Sequence, residues 1–256
     1  MKRTNLVDVR LNPNKGSRAQ VMCFGDLHWG AATCDEDLAR RALKMCVDKG
    51  IYVLGMGDMM ECSLIGSVGD VYSQKISPEA QIEAIVDLLQ PVKDAGLLLG
   101  IHSGNHEARI TKSTSIDVTK IMCKALGTHF LDHSVFHLWR VGKQSYTGFS
   151  THGSSGARLP YSKVKAGLDV FRYVSAELVM YGHLHGLDHM TQLYYEINKS
   201  RKTVDEKTRQ VVLTGSYLRY RGGYAERKNL LPAQMGSPIV SLYGDRHCVY
   251  VSMGGE

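Results

Sequence analysis

Five strand-like runs along this chain each stop at polar residues able to bind a metal ion, and that recurrence constrains the fold more than any other feature. Val21 to Phe24 runs into Gly25-Asp26-Leu27-His28, and Ile51 to Met56 into Gly57-Asp58-Met59-Met60-Glu61. Leu97 to Ile101 leads to Gly104-Asn105-His106-Glu107. Tyr146 to Ser150 leads to His152, and Leu178 to Tyr181 to Gly182-His183-Leu184-His185. In four of the five places a glycine stands directly before the first polar residue, which permits a sharp turn out of a strand. In open α/β sheets ligands bind at the carboxyl ends of strands, so all five groups can meet at one rim.

Amphipathic helices are expected between these runs, which makes the chain α/β. A helix is predicted from Asp35 to Asp48, with Thr33 and Glu36 as a capping box and Leu38, Ala42, Met45 and Cys46 as its apolar stripe. Ser77 caps a second, with Pro78 at its first position and Ile82, Ile85, Val86 and Leu89 facing inward. Further helices are predicted over 116–126 and 162–174, and a further strand from Val135 to Val141. Hairpin material follows from Met190 to Leu213, with a solvated, charge-rich tip over 198–210, and a last strand lies near 239–251. Residues 215–238 show no period, and a long irregular stretch in a compact domain is often functional. Residues 1–256 are expected to form one domain, with 215–238 on its substrate side.

Hydrophobic residues at 43% and charged residues at 22% allow a sizeable core and argue against disorder. The formal charge of +6 suits a polyanionic substrate. No apolar stretch follows the basic N-terminus, so no signal peptide is expected, and no run is long enough to span a bilayer. Cys23, Cys34, Cys46, Cys62, Cys123 and Cys248 form no C-x-x-C pair and read as reduced thiols, so the expected location is the cytoplasm.

The candidate ligands are two carboxylates (Asp26, Asp58), one amide (Asn105) and four imidazoles (His28, His152, His183, His185). An oxygen and nitrogen set without thiolate suits Mn²⁺, Fe or Zn²⁺. Seven ligands exceed one tetrahedral site and suit two divalent ions sharing a carboxylate.

In these blocks the chain resembles the calcineurin-like metallophosphoesterase superfamily, whose pattern is D-x-H, G-D-x-x-D/N, G-N-H-D/E, a lone His and G-H-x-H. The resemblance covers about residues 20–190 and looks towards the compact, nuclease-like branch of small prokaryotic and phage proteins. It implies a four-layer αββα sandwich of two mixed β-sheets flanked by helices. It implies that Asp26, His28, Asp58 and His185 hold one metal, and that Asp58, Asn105, His152 and His183 hold the other. It implies that His106 is catalytic and not a ligand. Glu61 stands where the family has Asp or Asn, at a position outside the ligand set, and Cys62-Ser63 follow it where the protein Ser/Thr phosphatases have Arg-Gly.

The chemistry expected is hydrolysis of a phosphate ester by a hydroxide held between the metals at Asp58, with His106 as general acid to the leaving group. Glu107 either orients neighbouring groups or faces solvent. Substrate selection is assigned to three loops. Cys62 to Ile76 is one. Gly153 to Arg158 is another, its amides cradling a phosphate beside Arg158. In the third, Gly215 to Lys228, Arg219, Arg221 and Arg227 alternate with tyrosines able to stack on bases. A phosphodiesterase acting on DNA, RNA or nucleotides is the leading reading. A phosphomonoesterase and a non-catalytic scaffold are the alternatives, and no membrane partner is expected.

Overall fold

A computed structural model describes residues 6–13, 17–65 and 74–254. Residues 66–73, inside the expected Cys62 to Ile76 loop, lie outside the described residues. Among the described residues, eleven strands form two sheets. The five-stranded sheet contains β2 (Arg18–Phe24), β3 (Tyr52–Gly55), β4 (Leu98–Ile101), β10 (Ile239–Tyr243) and β11 (Val249–Ser252), in the order β11-β10-β2-β3-β4. The six-stranded sheet contains β1 (Leu6–Leu11), β5 (Ser134–Val141), β6 (Gln144–Thr151), β7 (Leu178–Tyr181), β8 (Leu187–Asn198) and β9 (Thr203–Thr214), in the order β1-β5-β6-β7-β9-β8. Both sheets mix parallel and antiparallel pairs.

The strands that lead to the candidate ligands are the parallel ones. β2, β3 and β4 pair in parallel, as do β6 and β7, and β3 and β7 are buried along their whole length. Parallel strands read as continuous apolar runs because both faces are covered. The period of two in β7 shows what covers them: Leu178 and Met180 join the core between the sheets, while Val179 and Tyr181 join a second core on the outer face. Val212 of β9 faces inward, and Val211 and Leu213 face outward.

The helices α1 (Glu36–Lys49), α2 (Pro78–Asp94) and α4 (Val118–Leu126) bury Leu43, Ile85, Leu89 and Met122 in the core of the five-stranded sheet. The helix α5 (Pro160–Asp169) and a 3-10 turn (Val170–Arg172) bury Val164 and Phe171 against the outer face of the six-stranded sheet. The result is a four-layer α/β sandwich with two mixed sheets in the middle, as expected. Among the described residues no helix is long and apolar enough to cross a membrane. The six cysteines are free thiols, five of them buried.

Several local expectations are corrected. The N-cap of α1 is Asp35, whose carboxylate accepts from the Leu38 amide at 3.0 Å, and not Thr33. The expected stripe does face the core, with Cys46 buried and Leu38, Ala42 and Met45 packed half-buried against it, while Ala39 and Leu43 beside it are buried deeper. Ser77 caps α2 as expected, accepting from Ala80. The polar helix α3 (Asn105–Thr114) was not expected, since among its residues only Glu107 and Ile110 are buried and it shows little apolar stripe. The charged segment 198–210 is mostly strand, its turn confined to 199–202, and the single last strand is the β10–β11 hairpin. Residues 215–238 contain one short helix, α6 (Tyr224–Arg227), and isolated bridges from Leu218 to Cys34 and from Ser216 to Gly236.

Candidate metal centre

Three of the five motifs are turns held under backbone strain. Asp26, His28, Asp58, His183 and His185 have φ of 50°, 51°, 47°, 68° and 49°, a left-handed region that non-glycine residues seldom occupy. Such strain costs about 1–3 kcal/mol per residue and persists where the surroundings impose it. Here the turns lock onto one another: the Asp26 amide donates to Gly57 O at 2.9 Å, and the His28 amide to Asp58 O at 3.0 Å. The Asp26 carboxylate accepts from the His183 amide at 3.0 Å. Gly104 must be glycine, because a Cβ there would lie 2.1 Å from Asp58 Oδ1.

These turns bring the polar side chains together. Asp26, His28 and His185 offer ligand atoms within 4.8 Å of one another, and so do Asp58, His152 and His183. Asp58 Oδ2 lies 3.3 Å from His152 Nε2 and 3.8 Å from His28 Nε2, between the two groups. Asp58 Oδ1 accepts from the His106 amide at 2.9 Å. The Asn105 side-chain oxygen, more exposed than the rest, lies 3.1 Å from His152 Nε2.

The arrangement fits divalent cations. The Asp26 Oδ1 and His183 Nδ1 atoms are buried without a hydrogen-bond partner, a costly state unless a cation satisfies them. His28 Nε2 and His185 Nε2 stand 3.1 Å apart, too close for two protonated nitrogens and natural for two lone pairs aimed at one ion. His152 Nδ1 donates to Met56 O at 2.8 Å, which turns its Nε2 inward. Burial disfavours charge on His152, but Asp58 and Asp26 outweigh it and raise its pKa to about 10; the carboxylates form an anionic pocket awaiting positive charge.

His106 is the seam between the centre and the outside. Its Nδ1 lies 2.6 Å from Glu61 O and therefore carries the proton, while Arg109 Nη2 stands 2.9 Å from Nε2. Burial, aided by His28, pushes the His106 pKa down to about 3. The motif spacing did not draw attention to Arg109, although three residues beyond His106 on a helix puts it on the same face. Glu61 was set aside as no ligand, yet its Oε2 lies 3.2 Å from His28 Nδ1 and fixes that ring, and it forms a third candidate group with His28 and His106. Glu107 does not face solvent. Buried, it accepts from the amides of Asp58, Met60 and Gly104, so it clamps two of the turns; burial and the Asp58 charge raise its pKa to about 7.

The expected substrate loops fare unequally. In Gly153 to Arg158 the amides of Gly153, Ser154 and Ala157 already donate to Thr151, Tyr181 and Ser155 hydroxyls, which leaves little of the expected cradle. Arg158 is exposed at the mouth of a cavity. Arg219 is engaged by Asp35, the cap of α1, at 3.0 Å. Arg221 and Arg227 are exposed. Tyr217 is no stacking platform: it is buried, with its ring edge-on to Phe24 at 5.0 Å.

No family model matches the chain, and no curated protein matches it by sequence. Among solved structures it is similar to a conserved uncharacterized protein of Streptococcus pneumoniae TIGR4 described as a predicted phosphoesterase, with 14% identity, a TM-score of 0.40, and coverage of 91% of this chain and 93% of that one. It is also similar to a Vps29 single mutant from Entamoeba histolytica, with 14% identity, a TM-score of 0.36, and coverage of 91% and 97%.

Proposed function

We propose that this protein is a dinuclear-metal phosphoesterase, and most concretely a phosphodiesterase acting on nucleic acid or nucleotides. One observation carries the reading: the buried Asp58 Oδ2 stands between two His and carboxylate groups, where a single oxygen ligand would serve two ions. Asp26, His28, Asp58 and His185 would hold one cation, and Asp58, Asn105, His152 and His183 the other. The donors suit Mn²⁺, Fe or Zn²⁺. Such a pair, when bound, lowers the pKa of water to supply a nucleophile near neutral pH and offsets charge on the phosphoryl oxygens.

The residues around the cations do the remaining work. Glu61 and Met56 O hold the His28 and His152 rings with Nε2 inward. Glu107 keeps the Asp58 turn in place through three amides. His106 and Arg109 face the position of the leaving group as a pair. The guanidinium supplies fixed positive charge there; His106, neutral with its proton on Nδ1 and its Nε2 accepting from Arg109, would act as general acid once a bound phosphate draws Arg109 away and Nε2 takes up a proton. Arg158, Arg221 and Arg227 meet the rest of a polyanion.

The test is hydrolysis of bis(p-nitrophenyl) phosphate against p-nitrophenyl phosphate in Mn²⁺, with metal analysis of the purified protein. Faster diester cleavage with two ions per chain is the expected result. Faster monoester cleavage would make the protein a phosphomonoesterase. Absence of metal and of both activities would sink the enzyme reading.

A further inference from the structure

We propose that Lys163 and Arg158 form a subsite for a second phosphate group of the substrate, adjoining the metal centre and distinct from it. The proposal rests on the phosphoesterase reading, since it needs a first phosphate at the metals.

Lys163 lies in the first turn of α5, and its stem covers Gly186, the residue after the candidate ligand His185: a Cβ at Gly186 would stand 3.2 Å from Lys163 Cδ. Lys163 is half-buried, and among the described residues no carboxylate lies within ion-pair distance of its ammonium, whereas Lys165 two residues on pairs with Asp169 at 2.6 Å. A partly desolvated ammonium without an anion is unfavourable. Burial lowers its pKa and Asp26 works to restore it, which places the charge within electrostatic reach of the centre.

Lys163 and Arg158 line one open cavity of about 160 Å³, together with Leu187 and Leu213 of the six-stranded sheet and Leu231 and Pro232 of the irregular 215–238 segment. Asp188 also lines it, but its Oδ1 is engaged by the His189 amide at 2.7 Å. Two cations against one carboxylate leave a surplus positive charge. The volume exceeds the roughly 10–15 Å³ that one water requires. None of the seven candidate metal ligands lines this cavity, so the scissile phosphate belongs elsewhere. The substrate class that follows is a nucleotide chain with a phosphate next to the one attacked.

The test uses the metal-loaded full chain and the dinucleotide TpT with a phosphate at its 5′ end, at its 3′ end, or at neither. Wild-type protein should show a KM about 10-fold lower for one of the phosphorylated forms, the worth of one charge-assisted contact. Lys163→Met should bring that KM ratio to within about 2-fold of unity, and Lys163→Arg should keep it. If wild type cleaves bis(p-nitrophenyl) phosphate yet shows no such ratio, or Lys163→Met retains it, the subsite is wrong while the phosphoesterase reading stands. If no ester is cleaved, that reading falls, and calorimetric titration with inorganic phosphate decides the subsite. About 10-fold weaker binding in Lys163→Met upholds an anion site, and equal binding overturns it.

Discussion

Asp58 combines two duties that an amide cannot share. One of its oxygens accepts from the His106 amide, and the other faces His152, His28 and His106 at 3.3, 3.8 and 3.9 Å. Asp58→Asn is expected to abolish hydrolysis and to leave fewer than two ions per chain by metal analysis; full occupancy would contradict the bridging role. Glu107 lies behind it, with Oε2 taking the Asp58 and Gly104 amides and Oε1 the Met60 amide. A glutamine must set its NH₂ against at least one buried donor, so Glu107→Gln should cost about 1–3 kcal/mol in urea unfolding. An unchanged midpoint would mean that the clamp contributes nothing. In the proposed mechanism, His106 and Arg109 share the leaving-group side of the site, and their shares differ with leaving-group strength. His106→Asn should slow a poor leaving group by roughly 10²–10⁴-fold and a nitrophenyl ester less, with both metals retained. Equal losses on both substrates would instead make His106 an aide to the charge of Arg109, and Arg109→Met should then reproduce the loss.

At the scale of elements, the site is made of turns whose backbones interlock, so the strained turns at Asp26, Asp58 and His183 are held by their neighbours. Gly104 is the N-cap of α3 and the closest approach to Asp58. Gly104→Ala would place a methyl on the Asp58 carboxylate and should remove metal binding even where the protein still folds, as circular dichroism would show. The 215–238 segment separates in the same way into structural and available parts. Arg219 pairs with the cap of α1, and such a solvent-exposed pair contributes little to stability. Arg219→Ala should therefore shift stability slightly and substrate affinity little. Arg221→Ala with Arg227→Ala should weaken binding of a polyanion and flatten its salt dependence, while turnover of a small chromogenic ester barely changes. A salt slope unaltered in the double variant would place the polyanion elsewhere.

Across the whole molecule, the two sheets are joined by a buried polar relay outside the metal centre. His102 follows β4, His137 is on β5, and Ser150 on β6 takes both rings at 2.6 Å. His102 Nδ1 donates to Asp132 O at 3.0 Å, so its Nε2 accepts from the Ser150 hydroxyl, and His137 Nε2–H donates to Ser150 Oγ. Both rings are thus neutral in the folded state, and burial lowers each pKa to about 3. The unfolded chain, with histidines near 6.5, binds more protons between about 3 and 6.5. Stability from this relay is therefore complete above about pH 6.5 and is lost as pH falls through that window. His137→Gln should reduce the pH dependence of unfolding free energy between pH 6.5 and 4 by about one proton, measured from urea midpoints. A slope equal to that of wild type would show that His137 is protonated in the folded state.

Much of this was legible in the sequence, because the period of an apolar run and the residue that ends it are local properties. The runs into Asp26, Asp58, Asn105, His152 and His183 are the strands β2, β3, β4, β6 and β7, and the polar residues they deliver do meet. What the sequence did not disclose depended on contacts across long separations. Asp35 displaced Thr33 as the cap of α1 through a carboxylate that reaches its own helix and also Arg219, 184 residues away. The polar helix α3 is held less by an apolar stripe than by Glu107, which takes the amide of its own N-cap, Gly104, and the Asp58 and Met60 amides of the neighbouring turn. Arg109, Glu61 and Lys163 carry no motif of their own and take meaning only from the ring, the carbonyl or the glycine beside them. Tyr217 and Arg221 stand four residues apart in one aromatic and basic stretch, yet one is buried and the other exposed. Composition cannot separate them, since burial is decided by which surface the folded chain brings against each residue. Sequence by itself thus determined the alternation of strands and helices and the kind of ligand at each strand end. Tertiary structure alone decided which side chains turn inward, which charges are already paired, and which cation is left half-buried without a carboxylate partner, because each of these is set by neighbours distant along the chain.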